Sequence, residues 1–474
     1  MKILVAIANH GTKNQRYLDQ LLREYRSMRF EMRIVVLSDV PKHLPPDVQV
    51  RVGTPSSNPR SLPFAHRKLF SENRDSYDLF IYSEDDILIT QRNIEAFVRV
   101  TEALSDDEIA GFLRSEQGPD GQLYCPDAHG VFHWVPGSSR ARGSFQFATF
   151  SNDHAGCFIL TRKQLEKAIR SGGFDVPPHA GRYDILESAA SDPYVQCGFT
   201  KLICISHLDE FIVPHLPNRY LDYGMKFADL RLQIAEILAD GHEGAAGAQL
   251  MQTETRLPKM WFSKNYYEPL RKEFLELIPE TASTILSIGC GTGQTERHLI
   301  ETGRRVVAIP LDRLIGAVAR KNGVPLAEPG LEAAMAQLGS QRFDCVLCDW
   351  ILHLWPDPNG LLEWIAQRLA KDGVLLAIVP NLNHYMPLWS RLRGREGYNQ
   401  VGNHEGVGIH KTTRSQLRSW LSKAGLNPDE MTPIIPNRHQ RISRLAGRLG
   451  TELFATEIVV CARPSSANGA AGLH

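Results

Sequence analysis

A glycine-rich run in the second half of the chain has the residue types and spacing of a ligand-binding turn. Residues 284–296 read Thr-Ile-Leu-Ser-Ile-Gly-Cys-Gly-Thr-Gly-Gln-Thr-Glu, so an apolar strand runs into three glycines and then into a helical pattern. Glycine lets a ligand approach the backbone, and a helix N-terminus offers free N–H groups to polar or anionic groups. The pattern predicts a nucleotide-type cofactor, but glycines at such a turn can also serve packing alone. The residues expected to contact the cofactor are Gly289, Cys290, Gly291 and Gly293.

Three consecutive acids in the first half form a second candidate site. Glu84, Asp85 and Asp86 follow directly on an apolar strand pattern at 77–82. Ligands of open α/β sheets bind outside the carboxyl ends of the strands, and three adjacent carboxylates repel one another. Mg²⁺ or Mn²⁺ bridging a diphosphate would neutralise them. The alternative is a solvated turn in which Asp86 caps the next helix.

Both candidate sites follow strands in a chain whose strand and helix patterns alternate. Apolar runs at 3–8 and 32–37 flank a helical pattern at 17–28, and strand patterns recur at 306–309, 343–348 and 374–379. This alternation is typical of parallel sheets, and 474 residues exceed what one core supports. We therefore expect two α/β domains. The predicted boundaries are 1–222 for the first domain, 223–260 for a helical linker with a flexible connector at 241–247, 261–463 for the second domain and 464–474 for a disordered tail.

Composition narrows the functional classes. The chain has 53 Lys and Arg residues and 53 Asp and Glu residues, so its overall charge favours neither nucleic acid nor an anionic membrane surface. Its eight cysteines are scattered singly or lie in apolar strand patterns, as in reducing compartments, and Cys345 and Cys348 are predicted core residues. The N-terminus is predicted to be a strand, and no apolar run approaches the roughly 20 residues that span a bilayer. We expect a cytoplasmic protein, with a peripheral place at the inner face of the membrane left open.

The order of features in residues 1–222 resembles the GT-A-type glycosyltransferases. Their metal motif is an Asp-x-Asp-like triplet at the end of a central strand, where Glu84, Asp85 and Asp86 stand. The resemblance implies a nucleotide-sugar donor, metal binding by this triplet and the late His215, a nucleobase contact from Asp39 and a diphosphate contact from Arg67. It also implies a catalytic carboxylate among Asp184, Glu187 and Asp192, which would be the base if the enzyme inverts. The alternatives are that Asp184 caps its helix and that His215 is a loop or core residue.

Residues 261–463 resemble class I S-adenosylmethionine-dependent methyltransferases, which have a seven-stranded Rossmann-like sheet. The glycine run, Asp349-Trp350-Ile351-Leu352-His353-Leu354 and the closing pattern around 410–426 carry this resemblance. It implies cofactor contacts from the glycine run and Asp349. A helical segment is predicted at 261–278, closed by Pro279, and its aromatic residues at 261–267 could cover the cofactor or pack on the domain.

Two residues depart from the methyltransferase pattern. Ser287 and Pro310 stand where the family has acids, so the cofactor ribose would need Asp312, whose spacing fits but which could equally cap the following helix. His353 is the candidate general base, because its pKa suits neutral pH, or a structural histidine.

Together these features predict a bifunctional enzyme of polysaccharide biosynthesis. The first domain would transfer sugar from a nucleotide-sugar to a glycan or lipid-linked saccharide, and the second would O-methylate a glycan with S-adenosylmethionine. The alternative is a single-activity protein in which one domain only binds glycan or no longer holds its cofactor. A homo-oligomeric state is left open.

Overall fold

The computed structural model describes residues 1–240, 249–445 and 447–465. The chain divides into two compact units, unit 1 (Met1–Ala246) and unit 2 (Gly247–His474). The predicted linker is shared between them, because its helix belongs to unit 1 and residues 249–260 belong to unit 2. The predicted connector at 241–247 and residues 466–474 of the predicted tail lie outside the described residues.

Unit 1 is a mixed α/β structure. Its strands are β1 (Lys2–Asn9), β2 (Glu31–Ser38), β3 (Val48–Val52), β4 (Leu79–Glu84), β5 (Glu108–Ala110), β6 (Leu113–Gln117), β7 (Leu123–Cys125), β8 (Arg140–Arg142), β9 (Phe145–Ala148), β10 (Cys157–Thr161), β11 (Thr200–Cys204), β12 (Ile212–Pro214) and β13 (Met225–Lys226). Its helices are α1 (Gln15–Ser27), α2 (Ala65–Asn73), α3 (Gln91–Thr101), α4 (Arg162–Arg170), α5 (Ile185–Val195) and α6 (Phe227–Asp240).

A five-stranded sheet in the order β10-β4-β1-β2-β3 forms the centre of unit 1. The strands β4, β1, β2 and β3 are parallel, and β10 runs antiparallel to β4. These strands are almost continuously apolar because helices cover both faces of such a sheet. Ala8 pairs with Glu84, so the acidic triplet lies beside the carboxyl end of β1, as the strand pattern predicted. Two four-stranded sheets, β5-β11-β9-β8 and β12-β6-β7-β13, complete the unit.

Unit 2 is a single sheet with surrounding helices. Its strands are β14 (Thr284–Cys290), β15 (Arg305–Pro310), β16 (Phe343–Asp349), β17 (Leu369–Pro380), β18 (Leu426–Ile434) and β19 (Glu457–Pro464). Its helices are α7 (Lys272–Leu277), α8 (Gln294–Glu301), α9 (Arg313–Lys321), α10 (Leu331–Leu338), α11 (Pro358–Arg368), α12 (Tyr385–Leu392), α13 (His404–Val407), α14 (Arg414–Lys423), α15 (Asn437–Leu445) and α16 (Gly447–Phe454). Cys345 and Cys348 are buried in β16, as predicted.

The sheet of unit 2 has the order β15-β14-β16-β17-β19-β18, with β19 antiparallel to both neighbours. The described residues thus form six strands where seven were predicted. Beyond β15 only an isolated bridge joins Ala308 to Leu326. This segment contains Pro325 and Pro329, which cannot donate to a strand ladder.

The helix predicted for residues 261–278 is wrong for most of its length. Only α7 is helical, and a largely irregular segment precedes it. Phe262 has a left-handed φ of 68°, and Pro269 cannot donate an internal helical hydrogen bond. Within the described parts of the chain, no helix is long and apolar enough to cross a bilayer.

Candidate functional sites

A cavity of about 840 Å³ opens at the carboxyl ends of β1 and β4 in unit 1. Glu84, Asp85, Asp86 and His215 all line it, so the structure brings these predicted site residues together. The cavity is also lined by positively charged side chains, those of Lys13, Arg60, Arg114 and Arg219. The cavity is therefore a mixed-charge site large enough for a nucleotide-sized ligand.

The acids of the triplet have different surroundings. Asp85 accepts hydrogen bonds from the side-chain amides of Asn9 (2.5 Å) and Asn14 (2.7 Å), and burial raises its pKa to about 6. Burial, reinforced by the charge of Asp86, raises the pKa of Glu84 to about 8. The two asparagines therefore fix Asp85 in place, while Glu84 favours its neutral form.

His215 is held by a carboxylate that the sequence did not single out. Its Nδ1 donates to Glu116 Oε1 at 2.5 Å, and its Nε2 lies 3.7 Å from Asp86 Oδ2. Glu116 also accepts from the backbone N–H groups of Arg219 and Tyr220. Burial lowers the pKa of His215, but the two carboxylates outweigh it and leave that pKa raised.

Most of the metal ligands predicted in unit 1 already have protein partners. The described residues contain no group of three or more His, Cys, Asp or Glu side chains that could hold a metal ion. Both Asp85 oxygens already accept hydrogen bonds, and His215 faces two carboxylates. Metal binding by the triplet and His215 stays a prediction.

Two of the predicted site residues pair with each other inside unit 1. The guanidinium of Arg67 forms a buried ion pair with Asp192 and donates to the carbonyl of Val176. Neither Arg67 nor Asp192 lines the cavity. Asp39 does not line the cavity, but it accepts from the backbone N–H of Gly11 at 2.7 Å and lies 3.3 Å from Nε2 of His10, which does line it.

Asp184 and Glu187 do line the cavity, and they also cap α5. Asp184 Oδ1 accepts from the N–H of Ile185, and Glu187 accepts from the N–H of Asp184. The second oxygen of Asp184 lies 2.6 Å from Arg60 Nη2. The helix-cap alternative is thus correct for Asp184, and its place on the cavity wall leaves a catalytic role as a prediction.

The glycine loop of unit 2 is packed against protein. A Cβ at Gly291 would lie 2.2 Å from the carbonyl oxygen of Tyr266, and one at Gly289 would lie 2.3 Å from Ile351 Cδ1. Gly293 has a φ of 81° and begins α8. Close backbone approach does require these glycines, but the approaching group here is the chain itself.

Tyr266, which approaches Gly291, belongs to residues 249–267, and we name these residues the covering segment. The backbone of Gln249 forms an isolated antiparallel β-bridge with Asp312, and the N–H of Leu250 donates to the carbonyl of Leu311 at 2.8 Å. Burial raises the pKa of Tyr266, and the adjacent carboxylate of Asp312 adds to the effect. Asp312 also caps α9 by accepting from the N–H of Ile315. The carboxylate predicted to hold the cofactor ribose is therefore enclosed by the covering segment.

Asp349, at the end of β16, is bound in an ionic cluster. Arg271 Nε donates to its Oδ2 at 2.7 Å, and Lys264 donates both to the Asp349 carbonyl and to Glu268. The cavity that remains between this cluster and the glycine loop is about 20 Å³. That volume holds little more than one water molecule, so this cavity is too small for S-adenosylmethionine.

Ser287 and His353 also make internal contacts. Ser287, which stands in place of an acid, donates to Glu296 Oε1 at 2.6 Å, so α8 returns a buried carboxylate to this position. His353 Nε2 donates to the carbonyl of Phe262 in the covering segment, and burial lowers its pKa to about 3. In this conformation His353 has a structural contact, and its role as a base stays a prediction.

The comparisons with known proteins concern unit 2. Residues 262–430 match a family model described as a methyltransferase domain. The C-terminal part of the chain is thus similar to a methyltransferase domain. The chain is 29% identical over 157 residues to the uncharacterized methyltransferase YodH of Bacillus subtilis (strain 168). This alignment covers 32% of this chain and 67% of YodH. It is 25% identical over 203 residues to the ubiquinone biosynthesis O-methyltransferase of Xylella fastidiosa (strain 9a5c), covering 40% of this chain and 80% of that enzyme.

Among solved structures, the mitomycin 7-O-methyltransferase MmcR is 20% identical with a TM-score of 0.29. The similarity covers 39% of this chain, which spans about half (49%) of that enzyme. None of these three relatives is a glycosyltransferase.

Several residues of both sites escaped the sequence reasoning. Asn14 and Glu116 in unit 1 and Gln249 and Lys264 in unit 2 lie far along the chain from the groups they contact. Of these four residues, only Lys264 has a local sequence pattern that indicates burial, because it stands among the aromatic residues of 261–267. A buried lysine needs a partner. For the others, no local pattern marks the partner.

Proposed function

We propose that unit 2 is an S-adenosylmethionine-dependent O-methyltransferase acting on a glycan. The match of residues 262–430 to a methyltransferase domain carries this proposal. The O-methyltransferase of Xylella fastidiosa supports oxygen as the acceptor atom. The glycan acceptor follows from the proposed sugar-transfer activity of unit 1, because one chain would then extend and methylate the same saccharide.

In this proposal the cofactor binds only after the covering segment moves. The bridge of Gln249 to Asp312, the Tyr266 carbonyl against Gly291 and the small remaining cavity all favour a closed resting state. Three non-glycine residues of the segment, Lys259, Met260 and Phe262, have left-handed backbones. Such conformations cost of order 1–3 kcal/mol each, so part of the closed segment is strained.

Calorimetry of the full chain with S-adenosylhomocysteine tests the cofactor proposal. Leu250→Pro removes the N–H that donates to Leu311 and should tighten binding, because a larger fraction of the molecules would be open. Leu250→Ala keeps that N–H and serves as the control. No binding by either the wild type or Leu250→Pro would refute the cofactor proposal, and equal binding by both would refute the closed resting state.

We propose that unit 1 is a GT-A-like domain that transfers sugar from a nucleotide-sugar. The cavity of about 840 Å³ at the carboxyl ends of β1 and β4 is the observation that supports it most. Its acids suit sugar hydroxyl groups, and Lys13, Arg60 and Arg219 suit a diphosphate. The sheet order β10-β4-β1-β2-β3, with one antiparallel strand, is consistent with this kind of domain.

A donor panel tests this second proposal. The full chain is incubated with several nucleotide-sugars with and without Mn²⁺, and release of the nucleoside diphosphate is measured. Asp86→Asn should reduce release at least tenfold, whereas Asp106→Asn, which changes an exposed surface acid, should not. If no donor is bound or hydrolysed but a glycan binds, unit 1 is a glycan-binding module and the transferase proposal fails.

A further inference from the structure

Two helices of unit 2 carry large apolar side chains on their exposed faces. On α12, Leu388, Trp389 and Leu392 are exposed, and Leu392 has 80% of its surface in solvent. On α15, Ile442 is 52% exposed and Leu445 is 89% exposed. Soluble helices normally turn such residues toward the core. The residues that these helices bury are Pro387, Ser390 and Ser443, so their large apolar side chains lie mainly on the exposed faces.

Arginines lie between the exposed apolar side chains. The exposed arginines of the two helices and the turn after α12 are Arg391, Arg393, Arg395, Arg438, Arg441 and Arg444. None of the six forms an ion pair with a carboxylate in the described parts of the chain. Arg393 instead lies over the ring of Trp389, 4.5 Å from its centroid. Residues 385–395 and 437–445 contain no acid, although the whole chain has equal numbers of acidic and basic residues.

The two helices belong to one local structure. The rings of Tyr385 in α12 and His439 in α15 are 5.7 Å apart, and both rings contact Phe454 at the end of α16. Asn381, just before α12, donates to the carbonyl of Ala455. The two helices are therefore neighbours, and we name their exposed leucine, isoleucine and tryptophan side chains, together with the six arginines, the basic apolar surface.

We propose that the basic apolar surface docks the protein on an anionic lipid bilayer. Arginines with no carboxylate partner in the described residues match the negative headgroups, and Trp and Leu side chains enter the boundary between headgroups and acyl chains. A two-fold contact between copies of this chain would set the arginines of one surface against those of the other, which disfavours a homodimer here.

The basic apolar surface lies at the end of the sheet where β16 and β17 have their carboxyl ends. Helix α12 follows the carboxyl end of β17, which runs parallel to β16 and ends beside Asp349. Docking would thus hold the carboxyl ends of the strands near the bilayer. If the proposed methyltransferase function is correct, the docked orientation favours an acceptor attached to a lipid.

Vesicle flotation of the full chain, without cofactor or substrate, tests docking separately from catalysis. Vesicles contain phosphatidylcholine alone or phosphatidylcholine and phosphatidylglycerol in equal parts. We expect binding to the anionic vesicles, weak binding to the neutral ones and release in high salt. Arg441→Gln with Arg444→Gln should weaken binding about fivefold for each arginine removed. Leu392→Ser with Leu445→Ser should weaken it at least tenfold.

The double variant Arg297→Gln with Arg418→Gln is the matched control, since these exposed arginines lie elsewhere on unit 2, and it should bind as the wild type does. Equal binding to neutral vesicles, or no binding to either kind, would overturn the proposal. So would wild-type binding by the two test variants. Light scattering that shows a dimer lost in Leu392→Ser with Leu445→Ser would assign the surface to a second copy instead.

Discussion

The two candidate sites occupy equivalent places and have opposite states. Both lie at the carboxyl ends of parallel strands, where an α/β sheet binds ligands. Unit 1 has a cavity of about 840 Å³ with crowded acids, whereas the cavity of unit 2 is about 20 Å³ because ion pairs and the covering segment fill the space. Unit 1 thus has an open site, but none of the relatives named above matches it. Unit 2 matches a family model but has a closed site. Position on a sheet and family membership therefore do not establish that a site is accessible.

The buried ionic contacts that close the site of unit 2 should also stabilise this unit. Lys264 is fully buried between Glu268 and the carbonyl of Asp349. Lys264→Met would leave Glu268 without its closest cation, so we expect the free energy of unfolding of unit 2 to fall by about 3–5 kcal/mol. Urea unfolding measures this change. Lys423→Met, at an exposed position, should change it by less than about 0.5 kcal/mol. A similarly small effect of Lys264→Met would show that the cluster does not stabilise the unit.

Acid should weaken the closed state through His353. Because burial lowers its pKa to about 3 in the folded state, the unfolded chain binds an extra proton between pH 6.5 and pH 3. Unit 2 therefore loses stability as pH falls below 6.5, by at most about 1.4 kcal/mol per pH unit from this group. Urea unfolding at pH 7 and pH 5 should show a smaller difference for His353→Gln than for the wild type. His298→Gln, at a partly exposed position, should retain the wild-type difference.

Relief of backbone strain should close the site further. Lys259 is exposed with a φ of 60°, so Lys259→Gly should stabilise the closed segment by about 1 kcal/mol. S-adenosylhomocysteine should then bind about fivefold more weakly in calorimetry. Lys259→Ala keeps the Cβ and should resemble the wild type. Tighter binding by Lys259→Gly would mean that the strained backbone belongs to the binding-competent state.

The open site should contribute little to the stability of unit 1. Asp86 lies among Glu84, Asp85 and a histidine already held by Glu116, so Asp86→Asn removes repulsion as well as attraction. We expect the free energy of unfolding of unit 1 in the Asp86→Asn variant to stay within about 1 kcal/mol of the wild-type value. Asp192→Asn is the contrasting variant, because it breaks the buried pair with Arg67 and should cost at least about 3 kcal/mol. Equal losses in both variants would remove the distinction between the two sites.

Local patterns were sufficient for much of the fold. The alternation of apolar strands with helices predicted β1, β2, β4 and the strands β14 to β17, and the turn after β14 needed its glycines. Patterns failed where distant residues intervene. The predicted helix at 261–278 is mostly irregular, and within it Tyr266 packs against Gly291 of the glycine loop and lies beside Asp312 after β15. The predicted seventh strand is reduced to a bridge beside Pro325.

The sequence by itself determined the types and order of the chemical groups. It placed acids after β4 and glycines after β14, because strand periodicity and turn chemistry are local properties. Only the tertiary structure decided which groups are free to act. Arg67 and Asp192 neutralise each other, Glu116 holds His215, and residues 249–267 enclose Asp312, all through contacts between segments distant in sequence. Accessibility depends on what the rest of the chain packs against a site, and no local pattern records that packing.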